Sequence, residues 1–219
     1  VQEAINNATS GATIIVAPGT YHESLIIDKP LTILGRMGSE PIFDGGGSGI
    51  AITLLPSASG STITGIVITN WTQGILFVDS GDCKIYGNIM SVMGDSGIVL
   101  QGNNAANNLI YNNIFQGNNI AINLTMSSAN NIIYHNNFVN NTRQVYAPEV
   151  YANIWDNGYP SGGNYWSDYT GTDSNGDGIG DTPYVINTYN IDRYPLMKPF
   201  LGLAITKIST SKTVIGQGF

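Results

Sequence analysis

Leu109-Ile110-Tyr111-Asn112-Asn113-Ile114-Phe115-Gln116-Gly117-Asn118 and Ile132-Ile133-Tyr134-His135-Asn136-Asn137-Phe138-Val139-Asn140-Asn141 are one motif written twice, 23 residues apart. Earlier copies run from Lys84 to Val92 (KIYGNIMSV) and from Thr62 to Asn70 (TITGIVITN). With Ile63, Ile85, Ile110 and Ile133 in one column, the separations are 22, 25 and 23. Five residues after each comes another apolar side chain: Ile68, Met90, Phe115 and Phe138. Twelve or thirteen residues after each, a second apolar run contains Ile75, Ile98, Ile122 or Val145. Each unit thus holds two or three short strands with alternating faces, parted by Asn or Gly.

A fixed period of roughly 20–50 residues is the signature of a solenoid. These runs are too short, too β-branched and too rich in Asn for helical repeats, and they lack the L-x-x-L-x-L pattern of leucine-rich repeats. The expectation is an all-β fold, a right-handed parallel β-helix whose coils stack at about 4.8 Å. Its inward residues should pile into apolar ladders. Asn88, Asn113 and Asn136, each three residues after a column isoleucine, should stack as an asparagine ladder at a bend. Ile66 breaks that column, so the ladder should begin one coil later. Tyr86, Tyr111 and Tyr134 form a further column and should stack on the outer face.

Composition agrees with many strands and tight turns. Charged residues are 11% of the chain, against a usual fraction of about 25%, while Gly numbers 27 and 15 of the 39 residues from Asn103 to Asn141 are Asn. Both residue types tolerate the left-handed backbone of turns. The net charge is −7, and the eight Lys and Arg make no stripe, which argues against a nucleic-acid partner. No apolar run of 18 or more residues is present, so this segment is expected to contain no membrane span. The chain opens on Val1 without a basic-then-apolar leader, which reads as a processed or excised piece of a larger protein. Cys83 has no disulfide partner and reads as a small core residue.

A stacked solenoid needs caps. Residues 1–12 read as an N-terminal cap, with Val1, Ala4, Ile5 and Ala8 on one face of a short helix. Residues 13–160 read as coils and 161–200 as a C-terminal cap. Residues 201–219 read as a linker or the start of a β-sandwich module, with strands within Ile205–Gly216. A tail packed along the solenoid is the alternative.

The opening A-I-N-N-A, then G-A-T-I-I-V-A-P-G-T-Y and I-D-K-P-L-T-I-L-G, resembles the pectin-lyase-like right-handed β-helix superfamily. It is most similar to the NosD-type, carbohydrate-binding-and-sugar-hydrolysis-like β-helices of bacterial and archaeal surface proteins. The stretch Gly163-Asn164-Tyr165-Trp166-Ser167-Asp168-Tyr169, the following D-x-N-x-D-G-x-G-D, and Asp192-Arg193-Tyr194-Pro195-Leu196 resemble the tail of methanogen surface-layer-related proteins. The resemblance implies an extracellular, cell-surface location. It is specific for fold and weak for function, because the fold hosts both enzymes and scaffolds.

The sharpest chemical signal is Asp173-Ser174-Asn175-Gly176-Asp177-Gly178-Ile179-Gly180-Asp181. Asp173, Asn175, Asp177 and Asp181 place oxygens at positions 1, 3, 5 and 9 of a calcium loop, the Ile179 carbonyl serves position 7, and Gly178 permits the turn at position 6. Position 12 is Tyr184, so Asp168 or Asp192 would complete the shell. Hard oxygen donors favour Ca²⁺, here in a structural role. Five of the eleven Asp lie from Asp168 to Asp192, and a cation would relieve their repulsion.

A catalytic β-helix needs converging carboxylates. The candidates are Asp79, Asp82, Asp95, Glu149 and Asp156, with His135 and Arg143. Asp79 and Asp82 share a turn, and Asp95 could neighbour it one coil on, but no carboxylate row continues. No catalytic residue is assigned. The NosD resemblance raises copper, with Met90, Met93, Met126, Cys83, His22 and His135 as soft donors; core packing accounts for them better. Trp155, Tyr165 and Trp166 are candidate glycan contacts, or else they cover the last coil. Asn7, Asn70, Asn123 and Asn140 head N-x-S/T sequons and are candidate glycosylation sites. The leading expectation is a non-catalytic extracellular module, structural or adhesive, contacting polysaccharide or other envelope proteins. The competing one is a lyase or hydrolase of acidic polysaccharide.

Overall fold

The computed structural model describes residues 1–36, 39–125, 127–148 and 150–201. Three parallel sheets of six, seven and six strands form the sides of a right-handed solenoid of about six turns. The first sheet stacks Thr13–Val16, Thr32–Gly35, Thr62–Thr64, Lys84–Tyr86, Leu109–Tyr111 and Ile132–Tyr134. The second stacks Thr20–Tyr21, Ile42–Asp44, Val67–Thr69, Ile89–Ser91, Ile114–Gln116, Asn137–Val139 and Tyr165–Trp166. The third stacks Leu25–Ile27, Ile50–Leu54, Gln73–Val78, Ser96–Gln101, Ile120–Thr125 and Arg143–Tyr146.

The expected column holds in register. Ile14, Ile33, Ile63, Ile85, Ile110 and Ile133 pair in turn along the first sheet. Phe43, Ile68, Met90, Phe115, Phe138 and Trp166 do so along the second. Ile52, Ile75, Ile98, Ile122 and Val145 do so along the third. All of them are buried, so the apolar driving force is spread evenly over the coils. Close approach also constrains the third side: a Cβ on Gly97 would lie 2.7 Å from the Ala121 carbonyl oxygen, so no larger residue fits there without a shift.

The corners follow one rule. At each, a residue with positive φ precedes a ladder residue. One corner carries Gly60, Asp82, Asn107 and Asn130 at this position, a second Gly65, Gly87, Asn112 and His135, and a third Asn70, Val92, Gly117 and Asn140. Gly, Asn and Asp dominate because the left-handed conformation costs other residues about 1–2 kcal/mol. Val92, at φ +58°, is the β-branched exception.

The expected asparagine ladder is present. Asn88 Nδ2 and N–H both donate to Asn113 Oδ1 (3.1 Å), and Asn113 repeats this to Asn136 (3.0 Å). It starts where expected, with Ile66 N–H donating to Asn88 Oδ1. Two ladders that the sequence reading missed occupy the other corners. Cys83 N–H donates to Asn108, which continues through Asn131 and Asn153 to Asn190. Met93 N–H donates to Asn118, which continues through Asn141 to Gln144.

The N-terminal helix, Gln2–Asn7, drives Ile5 fully into the open end, as its apolar face predicts. At the other end an antiparallel hairpin, Tyr184–Asn187 with Asn190–Asp192, covers the last coil. Its Tyr184 extends a ring stack from Phe115 through Phe138 to Trp166, with centroids 5.1, 4.2 and 4.2 Å apart. The tyrosine ladder also forms, with Tyr86–Tyr111 at 4.9 Å and Tyr111–Tyr134 at 5.6 Å. The strand expectation within Ile205–Gly216 lies outside the described residues.

Candidate functional site

The aspartates expected to hold calcium lie in the C-terminal cap, where the corner ladders end. Asn136 passes the first ladder to Asn164 (3.0 Å), and Asn164 ends it on Asp192. Asp192 Oδ2 accepts the Asn164 N–H at 2.7 Å and the Trp166 indole N–H at 2.8 Å, and its Oδ1 accepts the Tyr194 N–H at 3.1 Å. The side chain is fully buried. A carboxylate suits this end position, because it offers only acceptors where no further coil needs a donor. Burial pushes it up to about 6, against the opposing pull of those N–H groups. Asp168 plays a comparable part at the third corner: its Oδ1 accepts the Gln144 amide at 3.2 Å, and its Oδ2 the Tyr184 hydroxyl at 3.1 Å. The two carboxylates expected to complete a calcium shell are thus engaged by ladder ends.

The Asp173–Asp181 loop turns on itself. Asp173 accepts the N–H groups of Gly176 (2.8 Å) and Gly178 (2.9 Å), and Asp177 accepts that of Ile179 (2.9 Å). Asn175 donates to Asp177 (2.9 Å), and Asp181 accepts from Ser174 (2.7 Å) and Thr172 (3.0 Å). These bonds hold the carboxyls of Asp177 and Asp181 below the usual range. Gly176 and Gly178 supply positive φ, and buried Ile179 bridges to Leu196 and pins the loop to the cap. Among the described residues no three His, Cys, Asp or Glu are drawn together as a metal cluster.

Of the two readings of the aromatics, burial of the tryptophans fits a cover over the last coil rather than a glycan contact. Trp155 and Trp166 are 0% and 1% exposed, so neither presents a ring face to a glycan. Trp166 is clamped between Phe138 and Tyr184, and both indole N–H groups feed ladder ends, Trp155 at Asn190 and Trp166 at Asp192. Tyr165 is half-buried at the end of the second sheet. Among the described residues the exposed rings at this end are instead Tyr146, Tyr159 and Tyr189.

The acid–base candidates are dispersed. Asp79 accepts the Asn104 N–H at 3.0 Å, beyond the C-terminal end of the strand Gln73–Val78. Asp95 accepts the Gln73 amide at 2.9 Å, at the opposite end of that strand, and so does not neighbour Asp79 and Asp82 as expected. Asp156, with its side chain 1% exposed, makes a bidentate pair with Arg193 at 2.7 and 2.8 Å. Burial alone would raise its carboxyl, but the Arg193 guanidinium and two backbone N–H groups hold it below the usual range. Arg143 lies over the Tyr146 ring at 4.8 Å. In the tyrosine ladder, burial and the flanking phenols push Tyr111 up to about 12, so its hydroxyl stays protonated. Glu149 and Met126 lie outside the described residues.

The soft donors are equally occupied. Met90 is fully buried in register between Ile68 and Phe115, and Met93 is 3% exposed. Cys83 is fully buried, and burial pushes its thiol up. His22 Nδ1 contacts the Asp44 carbonyl at 2.9 Å. His135 Nε2 contacts the Ser161 carbonyl at 2.8 Å, and its ring stacks on Phe200 at 3.9 Å. Of the sequon residues, Asn7, Asn70 and Asn140 are exposed, whereas Asn123 is half-buried within a strand.

Comparison with known proteins agrees with this architecture. The profile of a family described as "Periplasmic copper-binding protein (NosD)" matches residues 39–171. Two curated proteins, both described as "Probable ABC transporter binding protein NosD", are similar over 149 residues, or 68% of this chain. The one from Stutzerimonas stutzeri is 36% identical and the one from Pseudomonas aeruginosa 30%. The chain spans about a third of their length, 31% and 32%. A solved alginate lyase from Paenibacillus sp. superposes with a TM-score of 0.53 at 20% identity, covering 69% of this chain and 56% of the lyase. That likeness is one of fold.

Proposed function

The chain belongs to the NosD family, and from that premise we propose that it is a non-catalytic β-helix module of the cell envelope or cell surface, a rigid spacer or adhesive body. The observation that carries this reading is the dispersal of its described acid–base groups. Asp79, Asp95 and Asp156 each serve a different structural partner, whereas hydrolysis of a glycosidic bond calls for two carboxyl groups about 5–9 Å apart facing one substrate. The family's description as periplasmic supports an exported location. No helix among the described residues is long and apolar enough to cross a membrane. The surface-layer setting and the contact with envelope polysaccharide or protein belong to this proposal, with Tyr146, Tyr159 and Tyr189 as the rings available to a ligand.

A structural Ca²⁺ is part of the same reading. The D-x-N-x-D-G-x-G-D spacing supports Asp173, Asn175, Asp177, the Ile179 carbonyl and Asp181 as its ligands. Binding would draw these oxygens onto the ion and pin the cap through Ile179. Calorimetric titration with Ca²⁺, and melting with and without a chelator, test the ion: the reading expects binding and a lower melting temperature on chelation, and an identical curve rejects it.

The module itself is tested by incubation with alginate, polygalacturonate and neutral glycans, following unsaturated products and new reducing ends, alongside a glycan array. No turnover is expected. Sustained turnover lost on changing Asp79, Asp95 or Asp156 to Asn would establish the enzyme instead.

A further inference from the structure

The family description names copper, and the described residues of the matched span offer no place to hold it. Cu(I) favours thiolate and thioether sulfur, and imidazole suits either copper ion. A site needs several such donors converging, deprotonated where required, with a path from solvent. Within the matched span the described soft donors are Cys83, Met90, Met93 and His135. The three sulfur residues belong to a single coil, and each fills a position that another residue type fills in neighbouring coils. Met90 stands in the column of Ile68 and Phe115, so its thioether does the work of a branched aliphatic or a ring. Met93 and Cys83 open two asparagine ladders, their N–H groups donating to Asn118 and Asn108. The Cys83 sulfur lies 3.3 Å from the Gly81 carbonyl and 3.5 Å from the Ser80 hydroxyl, and burial pushes its thiol up against the opposing pull of that hydroxyl.

The imidazoles lie in other coils and do not converge with these sulfurs. His135 occupies a left-handed corner position, spends Nε2 on the Ser161 carbonyl and lies under Phe200. His22 sits near the opposite end of the solenoid, in the first coil, on the Asp44 carbonyl. A copper ion reaching the sulfur coil would have to part fully buried, in-register columns.

We infer that the β-helix of this chain is a copper-free frame: its described sulfurs are packing atoms, its histidines fasten turns, and among the described residues these donors make no copper site. This rests on family membership and stands apart from the envelope-module reading, which survives or fails on turnover and glycan binding. The test is anaerobic titration of the whole chain with Cu(I) held by a chromophoric chelator, and separately with Cu(II) followed by electron paramagnetic resonance. Melting curves with and without each ion accompany both, because a ligand that binds only the folded state raises stability. The expected result is that the chelator keeps its copper, that Cu(II) washes off on gel filtration, and that the melting temperature does not move. One equivalent of copper withdrawn from the chelator, or retained through filtration with a raised melting temperature, overturns the inference.

Discussion

Asn164 and Asp192 join across 28 residues of chain: the Asn164 N–H meets the Asp192 carboxylate at 2.7 Å, and this one bond closes a polar ladder that begins at Ile66. The second ladder ends on Asn190 of the same hairpin, and the third reaches Asp168, whose other oxygen is held by Tyr184. The cap therefore terminates all three corners as well as the ring stack. Its hydrogen-bonding side chains replace the coil that would otherwise follow.

Asn136 is the central rung of the first ladder. It accepts two bonds from Asn113 and donates to Asn164 and to two carbonyls. Asn136→Ala strands several buried donors and acceptors and should cost roughly 3 kcal/mol in denaturant unfolding. Exposed Asn119→Ala should stay within about 0.5 kcal/mol. Equal losses would show that the amides do not bind the coils together.

Val92 carries positive φ and is 60% exposed, so its side chain gains little from packing. Val92→Asn should stabilise the protein by about 1 kcal/mol, because Asn tolerates the left-handed backbone that its column requires. A lower melting temperature would mean that the valine methyls matter more than the backbone strain.

Arg193 covers the buried carboxylate of Asp156. Arg193→Ala leaves that charge without its cation and should cost about 2 kcal/mol at neutral pH. The Asp156 carboxyl is held below its ordinary value of 3.8 in the fold, so this contribution is present above that value and is lost as pH falls through the depressed one. The difference between wild type and variant should accordingly shrink in acid; a difference that grows in acid would contradict the assignment.

Asp192 carries the opposite sign. Its folded value of about 6 exceeds the ordinary 3.8, so stability present below 3.8 is lost as pH rises through about 6. Comparing Asp192→Asn with wild type across that interval, the variant should gain relative to wild type as pH rises. A flat difference would show that the N–H groups around the carboxylate fully offset its burial.

Much of this was legible in the sequence. The column Ile63, Ile85, Ile110 and Ile133 recurs because each coil must present the same side chain to the same interior position. The missed ladders carried an equal signal: Asn108, Asn131 and Asn153 are 23 and 22 residues apart, and Asn118 and Asn141 are 23 apart. The roles of Asp168 and Asp192 were not legible. Periodicity ends at the cap, where a 28-residue excursion brings Asp192 back under Asn164, and a carboxylate near a metal-type motif reads as a ligand until its hydrogen bonds are seen. Nor could composition separate a buried tryptophan from an exposed one; Trp155 and Trp166 are set inside by the ladder ends they feed.

The most direct test of the account is native-state hydrogen exchange at the ladder amides of Asn88, Asn113, Asn136 and Asn164, compared between wild type and Asp192→Ala. If the cap closes the corner ladders, protection should fall most at Asn164 and progressively less toward Asn88, graded from the capped end. Unchanged protection along the whole ladder, with the variant still folded, would contradict it.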